Sequence, residues 1–220
     1  VTGSPRNRAW VALGIVLSVG FAILAHAAII EHVPRSVGAA LSLVPLTIVV
    51  LVTARRSRHR VLAIAAIAAA VAVLWIGWAE LERRFADVFF LEHAGLNLLL
   101  AIVFGRTLLA GREPMCALFA RLVHGQIPPE VAAYARGVTV AWTLFFATMF
   151  TLSCALYLGG AHEAWSLLAN FLSVPLLVAM FVIEYIVRYR VLPHWERPGI
   201  LGGVLAFSRH MAQGQAGTQR

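Results

Sequence analysis

Residues 90–108 read FLEHAGLNLLLAIVFGRTL. The run is long and apolar enough to cross a bilayer, which takes about 20 mainly apolar residues at 1.5 Å rise each. Yet it holds Glu92, His93, Asn97 and Arg106. An unpaired charge at the centre of a membrane costs about 2.5–3.5 kcal/mol even on the lenient insertion scale. If this is a membrane helix, its polar groups must turn towards protein and satisfy one another.

Composition decides the class. Of 220 residues, 60% are apolar and 13% charged, and the mean hydropathy is +0.82. Soluble domains run nearer half apolar and a quarter charged. A soluble fold would need one very large apolar core with almost no polar skin. The net charge of +8 does not point to nucleic acid, because the basic residues sit between long apolar runs, where they set membrane orientation.

Working outward from residues 90–108, six segments qualify as spans: about 9–30, 36–54, 61–79, 86–110, 137–160 and 164–187. The second contains Pro45, tolerable as a kink inside a bundle. Arg6 and Arg8 precede the first, and Ala25-His26-Ala27 resembles a signal cleavage site. The apolar run there exceeds the 7–15 residues of a signal core, so a retained span is expected.

Arginine placement sets the orientation. With the N-terminus inside, 15 of the 18 arginines fall in cytoplasmic segments; Arg35, Arg83 and Arg84 fall outside. This is the positive-inside pattern of six spans with both ends in the cytoplasm. Aromatic residues agree: Trp10, Trp142, Tyr185 and Tyr189 fall at the inner interface, and Trp75, Trp78, Tyr157 and Trp165 at the outer one. The expected fold is an all-α polytopic bundle with a cytoplasmic tail over 188–220. The outer loops, about 31–35, 80–85 and 160–163, are short. The internal cytoplasmic piece, 111–136, contains EPMCALFARLVHG, whose helical apolar spacing suits a surface helix.

Depth brings polar groups together. Glu92 and His93 lie about 9–11 Å from the outer end of the fourth span, and Asn97 about 17 Å. His26 ends the first span, Asn170 lies two turns into the sixth, and Ser153 and Cys154 lie in the outer half of the fifth. His26, Glu92, His93, Asn97 and Asn170 are thus expected to form one intramembrane cluster. Glu92 and His93 are its candidates for acid–base or proton-shuttling work. The competing reading is a hydrogen-bonded lock between helices, worth about 0.6 kcal/mol per bond.

A second set, Arg106, Glu184 and Arg188, lies at the inner face. Glu184 and Arg188 stand four apart in the favoured order, although Arg106 could reach Glu184 instead. Arg112, Arg121 and Arg136 nearby suit lipid headgroups or partner proteins. The run ARRSRHR at 54–60 reads as a topology anchor. Cys116 and Cys154 read as small packing residues. No cofactor fingerprint or zinc-helix motif is present, and no metal site is expected.

The segments FLEHAGLNLLLAIVFGRTL, REPMCALFARLVHG, YARGVTVAWTLFFATMF and WSLLANFLSVPLLVAMFVIEYIVRYRVLP resemble a group of uncharacterised bacterial inner-membrane proteins. Members of that group often neighbour genes for aryl-polyene or xanthomonadin-type pigment lipids. The resemblance covers about 85–208 and hardly touches the first three spans. The family pattern has a more polar run where Met115-Cys116-Ala117-Leu118 stands here, so no contact of that segment is carried over, and the family has no established catalytic residues. The resemblance implies assembly or export of a lipid-linked polyketide at the inner membrane, beside acyl carriers and an exporter. The leading expectation is an accessory membrane protein. It would have membrane lipids and cytoplasmic biosynthetic or export proteins as partners, and could form a homo-oligomer. The alternatives are an intramembrane enzyme using Glu92 and His93, and a small proton-coupled transporter or flippase.

Overall fold

The computed structural model describes residues 5–56 and 60–192; side chains of residues 5–9, 11, 53, 55, 56 and 60–66 are outside that description. The tail expected over 188–220 is therefore described only as far as Leu192. The centre of the 54–60 anchor, with Arg58 and His59, lies outside the described residues.

All regular structure among the described residues is helical. In chain order the elements are α1 (Pro5–Ile29), α2 (Arg35–Ser42), α3 (Val44–Arg56), α4 (Arg60–Ile76), α5 (Trp78–Arg106), α6 (Met115–His124), α7 (Pro129–Leu158), α8 (His162–Leu167), a π-turn over Leu168–Leu172, and α9 (Ser173–Val191). Five stretches are long and apolar enough to cross a membrane: Ala12–Ile29, Arg35–Val52, Trp78–Arg106, Pro129–Leu158 and His162–Val191. Large apolar side chains stand exposed along them, and α9 buries no residue at all. Such faces far exceed the apolar patches of soluble monomers, so the chain is a multi-pass membrane protein.

Element boundaries differ from the sequence reading at several places, three of which bear on the span count and its kinks. The second span is two helices that break at Leu43 (φ −87°, ψ −11°). Pro45 has no N–H for the carbonyl of Leu41 and is tolerated only in a first turn, so α3 restarts one residue before it, at Val44. The third expected span, 61–79, is α4, whose 17 residues reach about 25 Å, short of a hydrocarbon core of about 30 Å. The outer loop expected at 80–85 is helical. α5 begins at Trp78 directly after Gly77 and kinks at Arg84 (φ −121°, ψ 18°). The Glu80 carboxylate holds both Arg83 and Arg84 on the exposed side of that kink.

Two compact units result. The first comprises the described residues up to His93 together with Ser153–Pro175. Its core is built on small residues: Ala25, Ala28 and Ala39 are buried beside Phe85, Phe89 and Trp165. Small side chains let helix backbones approach closely where no hydrophobic effect drives them together. Gly38 shows how closely: a Cβ there would stand 2.6 Å from the Phe85 ring.

The second unit comprises Ala94–Leu152 and the described residues from Leu176 on. Its centre is aromatic. Trp142 lies 5.5 Å from Phe146 and 4.8 Å from Phe181, centroid to centroid, and Phe104 packs against Phe146 at 5.6 Å. α6 is pinned at its start by two threonines. The Met115 N–H donates to Thr107 Oγ1 (3.0 Å) and the Cys116 N–H to Thr139 Oγ1 (3.1 Å). These are orphan donors of a helix N-terminus, and Pro114 at the cap position supplies no side-chain acceptor.

Candidate functional site

The first unit contains a directed chain of hydrogen bonds centred on His93. Its Nδ1 lies 3.0 Å from Ser153 Oγ on α7, and its Nε2 lies 2.9 Å from Ser173 Oγ at the start of α9. The roles follow from the ends of the chain. Trp165 Nε1 can only donate, and it donates to Ser153 Oγ at 2.9 Å. Ser153 then turns its own hydrogen to His93 Nδ1. At the other end, Ser173 spends its hydrogen on the Leu168 carbonyl, 2.8 Å away. Its oxygen therefore accepts from His93 Nε2–H. In its neutral form the imidazole is thereby the Nε2–H tautomer, and both of its nitrogens are engaged.

The π-turn makes the last link possible. The Leu168 carbonyl accepts both the backbone N–H and the hydroxyl of Ser173, five residues on. Pro175 accounts for the widening. It has no N–H for the carbonyl of Phe171, and its ring crowds that carbonyl in an ordinary helix.

His26 and Asn170 meet at a second serine. His26 Nδ1 lies 2.9 Å from Ser166 Oγ, and Asn170 Nδ2 donates to Ser166 Oγ (3.0 Å) and to the Ser166 carbonyl (3.1 Å). Ser166 and Ser153 are fully buried, and so is Trp165, which immediately precedes one node and donates to the other. The expected single cluster is thus two serine-centred nodes in this unit. Asn97, one turn beyond His93 on α5, belongs to the second unit.

Glu92 differs from its neighbours. Its Oε1 is buried and has no hydrogen-bond partner among the described residues. A buried oxygen left unsatisfied costs about 1–3 kcal/mol. Glu92 is the polar group of the expected cluster whose presence nothing around it explains.

Sequence reasoning missed Asp87, which accepts a 2.5 Å hydrogen bond from Tyr157 Oη. Tyr157 stacks on Phe90 (4.3 Å, 9°) and meets Trp165 edge-on at 5.0 Å. It thereby holds the indole that starts the chain. Ser166 and Ser173 were missed too, because a lone serine in an apolar helix carries no periodic signal; the proline two residues after Ser173 is the one local sign.

In the second unit Glu184 pairs with Arg188 (Nε to Oε1, 3.4 Å). Tyr134 Oη approaches Glu184 Oε1 at 3.3 Å and its carbonyl at 3.2 Å. Arg106 is exposed and forms no ion pair with Glu184 among the described residues. Arg121 grips Glu113 with two bonds, 2.9 and 2.5 Å. Arg136 donates to the Leu108 carbonyl at 3.1 Å, and Arg112 is exposed. Both cysteines are free. Burial pushes the Cys116 thiol up; a hydrogen bond with Thr139 opposes the rise and the nearby Glu184 charge adds to it. No cluster of three or more His, Cys, Asp or Glu able to hold a metal occurs among the described residues.

No protein-family model matches the chain, and neither the curated proteins nor the solved structures include a match to it.

Proposed function

We propose that this protein is an accessory component of a bacterial inner membrane, with six spans and both termini cytoplasmic. It serves the assembly or export of a lipid-like product of the aryl-polyene type and meets that product through Glu92. The observation that carries the reading is the buried, unbonded Oε1 of Glu92. Ionisable groups held at membrane depth mark substrate and ion pathways, and here the neighbouring polar side chains have one another. The setting, a polyketide-like product beside cytoplasmic biosynthetic or export proteins, rests on the resemblance of residues 85–208.

The arrangement favours holding or carrying a ligand over acid–base chemistry. An enzyme using Glu92 and His93 as a pair needs a ring nitrogen free for substrate, and both are bonded to serines. A proton-coupled carrier would need only Glu92.

The test is complementation of a deletion strain, read by mass spectrometry of lipid extracts. Deletion removes a lipid-like product and the unaltered chain restores it. Glu92→Gln fails to restore it at equal membrane level. His93→Gln, which keeps one donor and one acceptor, restores most of it. An unchanged lipid profile on deletion overturns the function. Full restoration by Glu92→Gln overturns the role of Glu92, and loss with His93→Gln brings back the acid–base pair.

A further inference from the structure

The turn between α5 and α6 concentrates positive charge on a rigid frame. Arg106 ends α5, and Arg112 follows six residues later. The intervening chain is tight. Thr107 N–H bonds to the Phe104 carbonyl, Leu108 N–H to Gly105 and Arg112 N–H to Leu109, with Gly111 at φ 77°. Arg136 on α7 reaches into the same turn and bonds the Leu108 carbonyl at 3.1 Å. A helix C-terminus presents partial negative charge. Arg136 sets a cation against it, which removes a source of repulsion for an incoming anion.

The nearby acid is already occupied. Glu113 is the acidic residue adjoining this turn, and Arg121 engages both of its oxygens. Arg106 and Arg112 are both exposed, with no ion pair to any described acid. The far side of the turn is anchored by Thr107 and Thr139 under the first N–H groups of α6. α6 itself turns Phe119 outward, 39% exposed. The turn therefore offers exposed guanidinium groups, unpaired with any described acid, on a hydrogen-bonded backbone. That combination fits an anion carried on an acyl chain better than a free ion in water, since headgroup and chain would each meet a matching surface.

We infer that the α5–α6 turn is a binding site for the phosphate of anionic phospholipid headgroups, with Arg106 and Arg112 as its contacts and Arg136 as its positioning residue. Guanidinium groups bind phosphate oxygens through paired N–H donors. Glu113 acts as a brake by holding Arg121 out of the site. The inference stands independently of the role given to Glu92.

The full-length chain, purified in a neutral detergent, is titrated with fluorescent phosphatidylglycerol and, separately, phosphatidylcholine. Phosphatidylglycerol binds more tightly, and the difference shrinks as salt rises. Each basic residue at an anionic surface contributes about 1 kcal/mol, or about fivefold. Joint replacement of Arg106 and Arg112 by Gln therefore weakens phosphatidylglycerol binding by about 25-fold and leaves phosphatidylcholine unchanged. Glu113→Gln strengthens it by about fivefold by releasing Arg121. Equal binding of both lipids, or wild-type affinity in the double variant, overturns the site. So does unchanged or weaker binding in Glu113→Gln, a result that does not depend on the double variant folding. Inorganic phosphate at matched concentration should not displace the lipid. If it does so fully, the site takes soluble phosphate and the lipid assignment fails.

Discussion

The hydroxyl of Ser173 lies 2.9 Å from His93 Nε2 and 2.8 Å from the carbonyl of Leu168, so one small side chain joins α5 to the wide turn before α9. Its loss has a readable consequence. Ser173→Ala removes the acceptor that keeps the proton on Nε2. In 15N spectra of labelled histidine, the single Nε2–H signature of His93 should give way to a tautomer mixture. Stability should fall by about 1 kcal/mol, given the usual 0.6 kcal/mol per membrane hydrogen bond and a maximum near 1.7. A wild-type tautomer signature in Ser173→Ala would contradict the assigned direction of the chain.

Glu92 and His93 are adjacent in sequence and opposite in what they cost to remove. Glu92→Gln should unfold within about 0.5 kcal/mol of wild type, because the altered carboxyl carries a buried oxygen with no bond to lose. His93→Ala leaves Ser153 and Ser173 without their shared partner and should cost about 1–2 kcal/mol. Reversible unfolding in detergent separates the two. A larger loss in the Glu92 variant would make that carboxyl structural.

Gly38 has no room for a side chain. A methyl group would press on the Phe85 ring at 2.6 Å, and Phe85 is itself buried. Gly38→Ala should destabilise by about 1–3 kcal/mol through overpacking. Adding Phe85→Leu should recover part of the loss, a coupling that a double-mutant cycle measures directly.

The Cys116 thiol should be a poor nucleophile at neutral pH. The thiolate is the reactive form, and burial raises the pKa of this group above its ordinary value of 9.0. Its alkylation rate, followed by mass spectrometry in a Cys154→Ala background, should lie below that of a free cysteine at pH 7. It should reach half of its limiting value at a higher pH than a free thiol does.

Counting spans by topology resolves what helix length does not. With α4 spanning, both termini lie on one side of the membrane; with five spans they lie on opposite sides. Reporter fusions at each end should both read cytoplasmic. One periplasmic end would place α4 within the interface.

The membrane class and most helix positions were legible because long apolar runs and arginine placement act over many residues at once. The break at Pro45 was legible as a kink because proline acts locally. The kink at Arg84 was not, since neither proline nor glycine marks it. Glu92, His93, His26 and Asn170 stood out as polar groups in oily surroundings. Ser153 was placed at their depth, but which partner each would take was not legible. Ser153 and Ser166 are small neutral residues at home in any membrane helix, and which of them His93 or His26 would find depends on contacts 60 and 140 residues away in the chain. The threonines that hold α6 are hidden for the same reason: a capping acceptor supplied from another helix leaves no mark beside the helix it caps.

The wide turn at Leu168–Leu172 makes segment length matter as much as side-chain chemistry. Ser173 stands over the Leu168 carbonyl because five residues, not four, fill that step. Deleting one residue there would remove no hydrogen-bonding group from the two serines or the histidine. It would swing Ser173 by about 100° around the helix axis and strand His93 Nε2–H. In this stretch a shortened chain should do more harm than a changed letter.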